Sequence, residues 1–522
     1  MFKNIAPTDF SLKQERANLQ KALEDLTLSL KNPFIVKPII NGEKYDSKNI
    51  FERFDPNDNT TLIARVHLAN QELAEKSLLQ ARSSQYNWKH TSIEKRSEIL
   101  KASANLMDQK RHYLSSIIIK EAGKPWLEAD RDVVEAIDFL NFYAEQNLLL
   151  KPFKTDDILG EDNFYFYESL GTSVVISPWN FPIAIPCGML SASLVTGNTV
   201  IFKPAELTSS IALELVKIFF EAGLPKDVLS FLPGKGKEIG PILINSDITN
   251  LVCFTGSLEV GKQIQKSVGE IKNSQSHIKK GILELGGKNA IIIDDDADLD
   301  EAIRGVIYSS FGFSGQKCSA CSRLIVLKDI YSSFIERFIP AVSDIIVGPS
   351  TNPETLLGPV IDKIAKERIL DIIKDAKLKN KLLFQGDVVS NGNFVPITVF
   401  EVENHNDNLF QDEIFGPVLA IAVAKNLGEA LKIANDSKYA LTGGIFSRSP
   451  ENINKVVKDF RVGNLYINRS CTGAVVGRQP FGGFNLSGIG SKAGGVDYLK
   501  QFVVPRTVSE NTLRRGFTPD LN

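Results

Sequence analysis

Residues 199–232 read TVIFKPAELTSSIALELVKIFFEAGLPKDVLSFL, and this stretch decides the fold. Thr199–Phe202 is a short apolar run with β-branched residues. SSIALELVKIFFEAG (209–223) then carries apolar residues at helical spacing and ends on Gly223, and Val228–Leu232 is a second strand-like run. Apolar strands joined by an amphipathic helix predict a parallel pair covered on both faces. Ser173–Ser177 before it and Leu251–Phe254 after it have the same texture, which extends the expectation to a parallel α/β sheet. A second alternating block starts at AIIID (290–294) and continues through DEAIRGVIYSSF (300–311), RLIVL (323–327) and IYSSFIERFIPAV (330–342). Two α/β domains sharing a cleft are therefore expected. Residues 70–148, after a polar N-terminal arm, read as helices. Asn70 can cap ELAEKSLLQA, Thr91 and Glu94 form a T-x-x-E capping box, and Gly123 with Pro125 precedes WLEADRDVVEAIDFLNFYAEQ.

Composition narrows the function classes. The 522 residues are 43% hydrophobic and 23% charged, an ordinary globular balance. Sixty Lys+Arg against 62 Asp+Glu leave a formal charge of −2, so no basic excess points to nucleic acid or an anionic membrane. Five cysteines (187, 253, 318, 321 and 471) are too sparse for a disulfide framework and fit a reducing, cytoplasmic compartment. No apolar stretch approaches the roughly 18 residues of a membrane span, and MFKNIAPTDFSLKQER lacks the apolar segment of a leader.

Three segments carry chemistry. In FGFSGQKCSACSR (311–323), Cys318 follows a glycine-containing turn, where a thiol can be exposed and become a nucleophile; taken alone it reads more readily as a buried structural cysteine. Cys321 reads as a packing residue, since no second C-x-x-C and no nearby histidine completes a metal set. In LELGGKNA (283–290), Glu284 stands before a double glycine and can serve as a general base if burial raises its pKa, or else form a surface salt bridge. In SPWNFP (177–182), prolines stiffen the backbone around Asn180, whose amide can donate to a developing oxyanion, or else the segment is a rigid turn whose aromatic packs on the core. Gly234, Gly236 and Gly240 miss the G-x-G-x-x-G dinucleotide fingerprint by one residue, while Gly256 and Gly261 follow a strand where a helix start can meet phosphate. KPAE (203–206) sets Lys203 and Glu206 after a strand, and the Glu206 carboxylate would repel a 2′-phosphate.

Together PWNFP, KPAE, FTGSLEVG, ELGGK, GQKC and EIFGP (413–417) resemble, in order, the motifs of the aldehyde dehydrogenase superfamily over at least residues 60–490. The resemblance implies two Rossmann-like parallel-sheet domains plus a small β oligomerisation flap. Residues 1–150 and 172–284 would be the NAD-binding domain, 285–495 the catalytic domain, and 151–171 with 496–522 the flap and tail. It also implies that Cys318 attacks the aldehyde, that Asn180 and the Cys318 N–H form an oxyanion hole, and that Glu284 activates water to hydrolyse the thioester. Ser177, Trp179, Lys203, Glu206, Gly256, Ser257, Glu413 and Phe415 would hold NAD. The run NRSCTGAVVGRQPFGGFNLSGIGSKAGGVDYL (468–499) is similar to that of the delta-1-pyrroline-5-carboxylate dehydrogenases, which oxidise L-glutamate gamma-semialdehyde to L-glutamate in proline catabolism. By that likeness Ser319, Gly473 and Ala474 would bind the substrate carboxylate, and Phe181 and Phe481 would sandwich its aliphatic part. A small-molecule substrate, a homo-oligomer and no metal are expected, with another semialdehyde such as succinate semialdehyde as the alternative. The basic tail ENTLRRGFTPDLN reads as lying near a subunit interface.

Overall fold

Each expected strand forms, and the strands assemble into two sheets. A computed structural model describes residues 2–387 and 391–513. The first sheet runs in the order Gly488–Ile489, Lys280–Glu284, Thr249–Thr255, Thr172–Ile176, Thr199–Lys203, Leu229–Phe231, Ile39–Ile40 and Glu43–Lys44. Its five central strands are parallel and its two edges antiparallel. The second sheet runs Lys381–Gln385, Thr398–Glu401, Val418–Ala424, Cys321–Leu327, Asn289–Ile293, Thr442–Phe446 and Asn464–Ile467, parallel except at its first strand.

Alternation of side chains explains why both sheets are covered on two faces. Val175, Val200 and Phe202 enter one apolar cluster with the helices of residues 93–148. Val174, Ile176 and Ile201 enter another with helices Gln71–Lys89 and Leu258–Gly269. In the second sheet Ala290 and Ile292 face one core, and Ile291 and Ile293 the other. A period of two in an all-apolar strand leaves no polar face to turn to water.

Four details depart from the expectations. The helix over 93–109 is capped by Ser92, whose Oγ accepts from the Lys95 N–H, while Thr91 donates back to the Asn87 carbonyl. The T-x-x-E box is therefore not used, because Thr91 continues the bonding of the preceding helix. The N-terminal arm is structured: helix Lys13–Ser29 buries Leu19, Leu23 and Leu26, and Phe34–Val36, Leu62–His67 and Ile50–Phe54 form a three-stranded sheet. The edge strand Gly488–Ile489, in sequence part of the second block, joins the first sheet beside Glu284. Residues 499–502 pack into the first core through Leu499 and Phe502. Beyond them Val503–Asn511 pairs with Glu161–Ser169, which pairs with Phe153–Lys154. Of the basic tail, residues 514–522 lie outside the described residues.

The first sheet places its functional residues by topology. The chain moves from Thr172–Ile176 outward to Leu229–Phe231, then returns to the opposite side at Thr249–Thr255. The strand order reverses between those two neighbours, and in open α/β sheets such a crevice at the carboxyl ends of the strands is where ligands bind. Those ends carry Glu284, Thr255, Ile176 and Lys203. From Glu284 the chain needs only Leu285–Lys288 to reach Asn289, the first residue of the second sheet. One sheet thus presents its carboxyl edge to the amino edge of the other.

Candidate active site

The turn before Cys318 is built under backbone strain. Phe313 and Ser314 both have left-handed φ (51° and 55°), followed by Gly315 at 68°. Such a conformation costs an L-residue roughly 1–2 kcal/mol, so the surroundings must impose it. Ser314 Oγ donates to the Gly358 carbonyl at 2.6 Å, and Gln316 Oε1 accepts from the Ile361 N–H at 2.9 Å. A Cβ on Gly315 would come 2.3 Å from the Gly416 carbonyl, so this turn is keyed against the 413–417 segment. Past the turn, Asn289 Nδ2 donates to the Cys318 and Ala320 carbonyls, both at 2.8 Å. The second sheet's first residue therefore fixes the loop that ends in the half-buried Cys318.

Seven of the sequence-selected residues line one cavity of about 260 Å³: Trp179, Asn180, Gly256, Ser257, Cys318, Glu413 and Phe415. Asn180 donates one amide hydrogen to the Gln316 carbonyl at 3.0 Å, which orients the other. Phe415 is also left-handed (φ 56°), and its ring meets the Trp179 ring edge-on at 5.5 Å. Glu413 Oε1 accepts from the Gly287 N–H at 3.0 Å, and a Cβ on Gly286 would strike that carboxylate. The double glycine of ELGGK is thus required by the approach of Glu413 and of the Cys318 carbonyl, which a Cβ on Gly287 would meet at 2.6 Å.

Lys203, Glu206 and Ser177 form an adjoining cluster. The Ser177 N–H donates to the Lys203 carbonyl at 3.2 Å. Lys203 Nζ donates to the Pro204 carbonyl and to Glu206 Oε1 at 3.0 and 3.3 Å, and Glu206 Oε1 also accepts from the Gly236 N–H, at the start of helix Gly236–Asn245. Ser257 caps helix Leu258–Gly269, and the Gly256 N–H donates to the Glu284 carbonyl at 3.1 Å.

Glu284 ends its strand with one carboxylate oxygen buried and unpartnered, so it is not in a salt bridge. Burial pushes its pKa up to about 8, opposed by the Lys492 charge. Burial, with Glu413 and Glu284 nearby, likewise pushes the Cys318 thiol up, against a hydrogen bond from the Ser319 N–H.

The expected substrate residues lie around the other end of the turn. The buried Ser319 offers its carbonyl to Thr442 Oγ1 (3.2 Å) and Cys471 Sγ (3.5 Å), which ties it to the loop holding the left-handed Gly473 and the half-buried Ala474. Phe481 bridges to Ala493, and Phe181 lies under the Lys124 ammonium, 3.9 Å from its ring centroid. None of Ser319, Gly473, Ala474, Phe181 and Phe481 lines the 260 Å³ cavity.

Several neighbours escaped the sequence reading. Gln316 and Asn289 sit inside quoted motifs, so their positions were signalled though their roles were not. Lys124 and Asp132 form a fully buried pair at 2.8 Å, and Lys317 pairs with Glu128 at 2.7 Å. Arg368 lines the cavity. Lys124, Glu128, Asp132 and Arg368 are brought in from distant elements with no local pattern to mark them, whereas Lys317 directly precedes Cys318 in its motif.

The whole chain has known relatives. Residues 43–508 match the model of the aldehyde dehydrogenase family. The chain is 43% identical over 511 residues to a 1-pyrroline-5-carboxylate dehydrogenase of Geobacillus sp. (strain WCH70), covering 98% of this chain and 99% of that one. The homologue of the same name from Bacillus subtilis (strain 168) is 42% identical over 507 residues, 96% of this chain and 98% of that one. A crystal structure of 1-pyrroline-5-carboxylate dehydrogenase from Thermus with bound NAD superposes with a TM-score of 0.95 at 39% identity, covering 98% and 99% of the two chains. Proline utilization A from Bdellovibrio bacteriovorus gives a TM-score of 0.97 at 47% identity over 99% of this chain, which spans about half (54%) of that longer polypeptide. With the motif order, the two facing sheets and the cavity at Cys318, these likenesses establish that the chain belongs to the aldehyde dehydrogenase family.

Proposed function

We propose that the protein oxidises L-glutamate gamma-semialdehyde, the open form of Δ1-pyrroline-5-carboxylate, to L-glutamate with NAD, in proline degradation. The observation that carries this reading is near-full-length identity of 40–43% to 1-pyrroline-5-carboxylate dehydrogenases, on a site where Cys318, Asn180 and Glu413 share a cavity.

The Cys318 thiolate, its proton released to solvent, attacks the aldehyde carbon, and Asn180 Nδ2 with the Cys318 N–H receives the charge that develops on oxygen. Bound in this site, NAD would supply the hydride acceptor. Glu284 then takes a proton from water, which hydrolyses the Cys318 thioester to the free acid. The residues present fit a dinucleotide. Lys203 and Glu206 would hold its adenosine ribose, Ser177 and Trp179 would contact the cofactor, and Gly256 and Ser257 would meet the pyrophosphate at a capped helix start. Glu413 holds the nicotinamide ribose beside Phe415. On the substrate side, Ser319, Gly473 and Ala474 bind the α-carboxylate with neutral donors, and Phe181 and Phe481 enclose the carbon chain.

In this reading residues 2–150 and 172–284, with the edge strand Gly488–Ile489 and residues 498–502, form the NAD-binding domain, the rest of 285–495 the catalytic domain, and 151–171 with 503–513 a flap joining subunits of a homo-oligomer. The exposed strand Val503–Asn511 and the exposed apolar Phe153, Ile158 and Leu159 support the flap. Five free cysteines support a cytoplasmic location. The test is NADH formation with Δ1-pyrroline-5-carboxylate against succinate semialdehyde and propanal. Strong preference for the first is expected; equal rates would remove the proposed substrate.

A further inference from the structure

Lys492 has no place in the mechanism above, yet it is the charged group that acts on Glu284. Its ammonium is fully engaged elsewhere: it donates to the Gly463 carbonyl, to Asn464 Oδ1 at 2.9 Å and to the Gly482 carbonyl at 3.0 Å. Asn464 is held in turn, since its Nδ2 donates to the Pro480 carbonyl at 2.9 Å and its Oδ1 also accepts from the Gly482 N–H at 3.3 Å. Three acceptors leave Lys492 no hydrogen for a salt bridge, so its charge is fixed in place. Gly482 stands between the two groups. A Cβ there would lie 2.9 Å from Glu284 Oε1 and 3.4 Å from Lys492 Cγ, so the carboxylate and the lysine stem converge on one bare Cα. On its far side Lys492 borders an open cleft of about 390 Å³ lined also by Gly482, Ser491 and Asp497.

The other titratable groups around Glu284 supply no competing cation. They are the Cys318 thiol and the phenols of Tyr143 and Tyr498. Tyr143 Oη accepts from the Gly494 N–H at 2.8 Å, and its ring stacks on Tyr498. In the cleft Asp497 is paired with Lys500.

Resting on the assignment of Glu284 as the base, we infer that Lys492 is a positioning residue for the hydrolytic half-reaction: its immobilised ammonium, across Gly482, supports the ionised form of Glu284 without pairing with it. A paired Glu284 would be held as a carboxylate too weakly basic to take a proton from water. An unsupported one would stay protonated. The intermediate arrangement lets it take up and release protons in each turnover.

The test is the decay of acylated Cys318, followed by rapid quench across a pH series. A base acts when deprotonated, so the rate rises with pH through the Glu284 midpoint. Removing the cation in Lys492→Met should move that midpoint alkaline by about one pH unit and slow deacylation about tenfold on the rising limb. Hydride transfer in a single turnover should hold, and Lys492→Arg should restore the midpoint. If Lys492→Met does not fold, Lys492→Gln keeps a donor to the three acceptors without the charge, and the same shift is expected. An unshifted midpoint in the neutral variant overturns the inference, as does an equal loss in hydride transfer. Glu284→Gln is the control: persistent deacylation there overturns the base assignment itself, whereas a stalled Glu284→Gln with an unshifted neutral variant overturns only the role of Lys492.

Discussion

Buried charges on the two sides of Cys318 are handled in opposite ways. Towards helix Trp126–Leu148 the buried cations are matched, Lys124 with Asp132, neither exposed, and Lys317 with Glu128, while burial raises Glu135 of the same helix to about 8. Asp132 also accepts from the Ala184 N–H, and Lys317 lies over the Tyr308 ring. Towards the crossing between the sheets, Glu284 Oε2 and Lys288 Nζ are buried without partners. Burial, with the Arg323 charge nearby, lowers Lys288 to about 7, as burial raises Glu284 to about 8. The matched side fixes geometry around the nucleophile turn. The unmatched side keeps groups that exchange protons near neutrality, and a partner would take that ability away.

The sharpest way to break this contrast is to remove the nucleophile it surrounds. Cys318→Ala should lower oxidation on the order of 10⁵-fold while calorimetry still detects NAD binding; retained turnover would dismiss the thiol. Glu284→Gln should cut steady-state turnover by about 10³-fold yet leave the first-turnover burst of NADH. In the unaltered enzyme the deacylation rate should rise with pH around a midpoint near 8, and that limb should vanish in the variant. On the matched side the expected damage is to stability. Lys124→Met strands Asp132 in the interior and should cost about 3 kcal/mol in chemical denaturation, most of it recovered in Lys124→Met with Asp132→Leu. A cost as small as that of an exposed ion pair would mean that the pairing does not hold the turn. Smallest of all, Glu206→Gln should weaken NAD binding about tenfold by calorimetry, the loss expected for one hydrogen bond to a charged group.

Much of this was legible because the chemistry sits in short motifs at strand ends. The strands at 172–176, 199–203, 249–255 and 289–293 are apolar and short; Asn180 stands just beyond the first, Glu284 ends the strand Lys280–Glu284, and Cys318 lies in the turn before Cys321–Leu327. The glycines of ELGGK were visible as glycines, but what they make room for, Glu413 and the Cys318 carbonyl, comes from other segments. Lys124 shows the limit most clearly. Gly-Lys-Pro between two helices looks like an exposed turn, and only packing against Phe181 and Phe313 closes it over. Lys492 was quoted as part of a motif, but its bearing on Glu284 depends on a register, Glu284 opposite Gly488, that no local spacing encodes. The Ser92 cap replaced Thr91 because two adjacent hydroxyls satisfy the same pattern and the preceding helix decides between them.

The Leu285–Lys288 crossing has a mechanical consequence. Four residues span at most about 14 Å when extended, and both ends are tied into sheets: Glu284 closes one, Asn289 opens the other and grips the Cys318 loop through two hydrogen bonds. With so little slack, the strand end that carries the base and the residue that grips the nucleophile loop are tethered to each other, so neither sheet can drift far without carrying the other's half of the site with it.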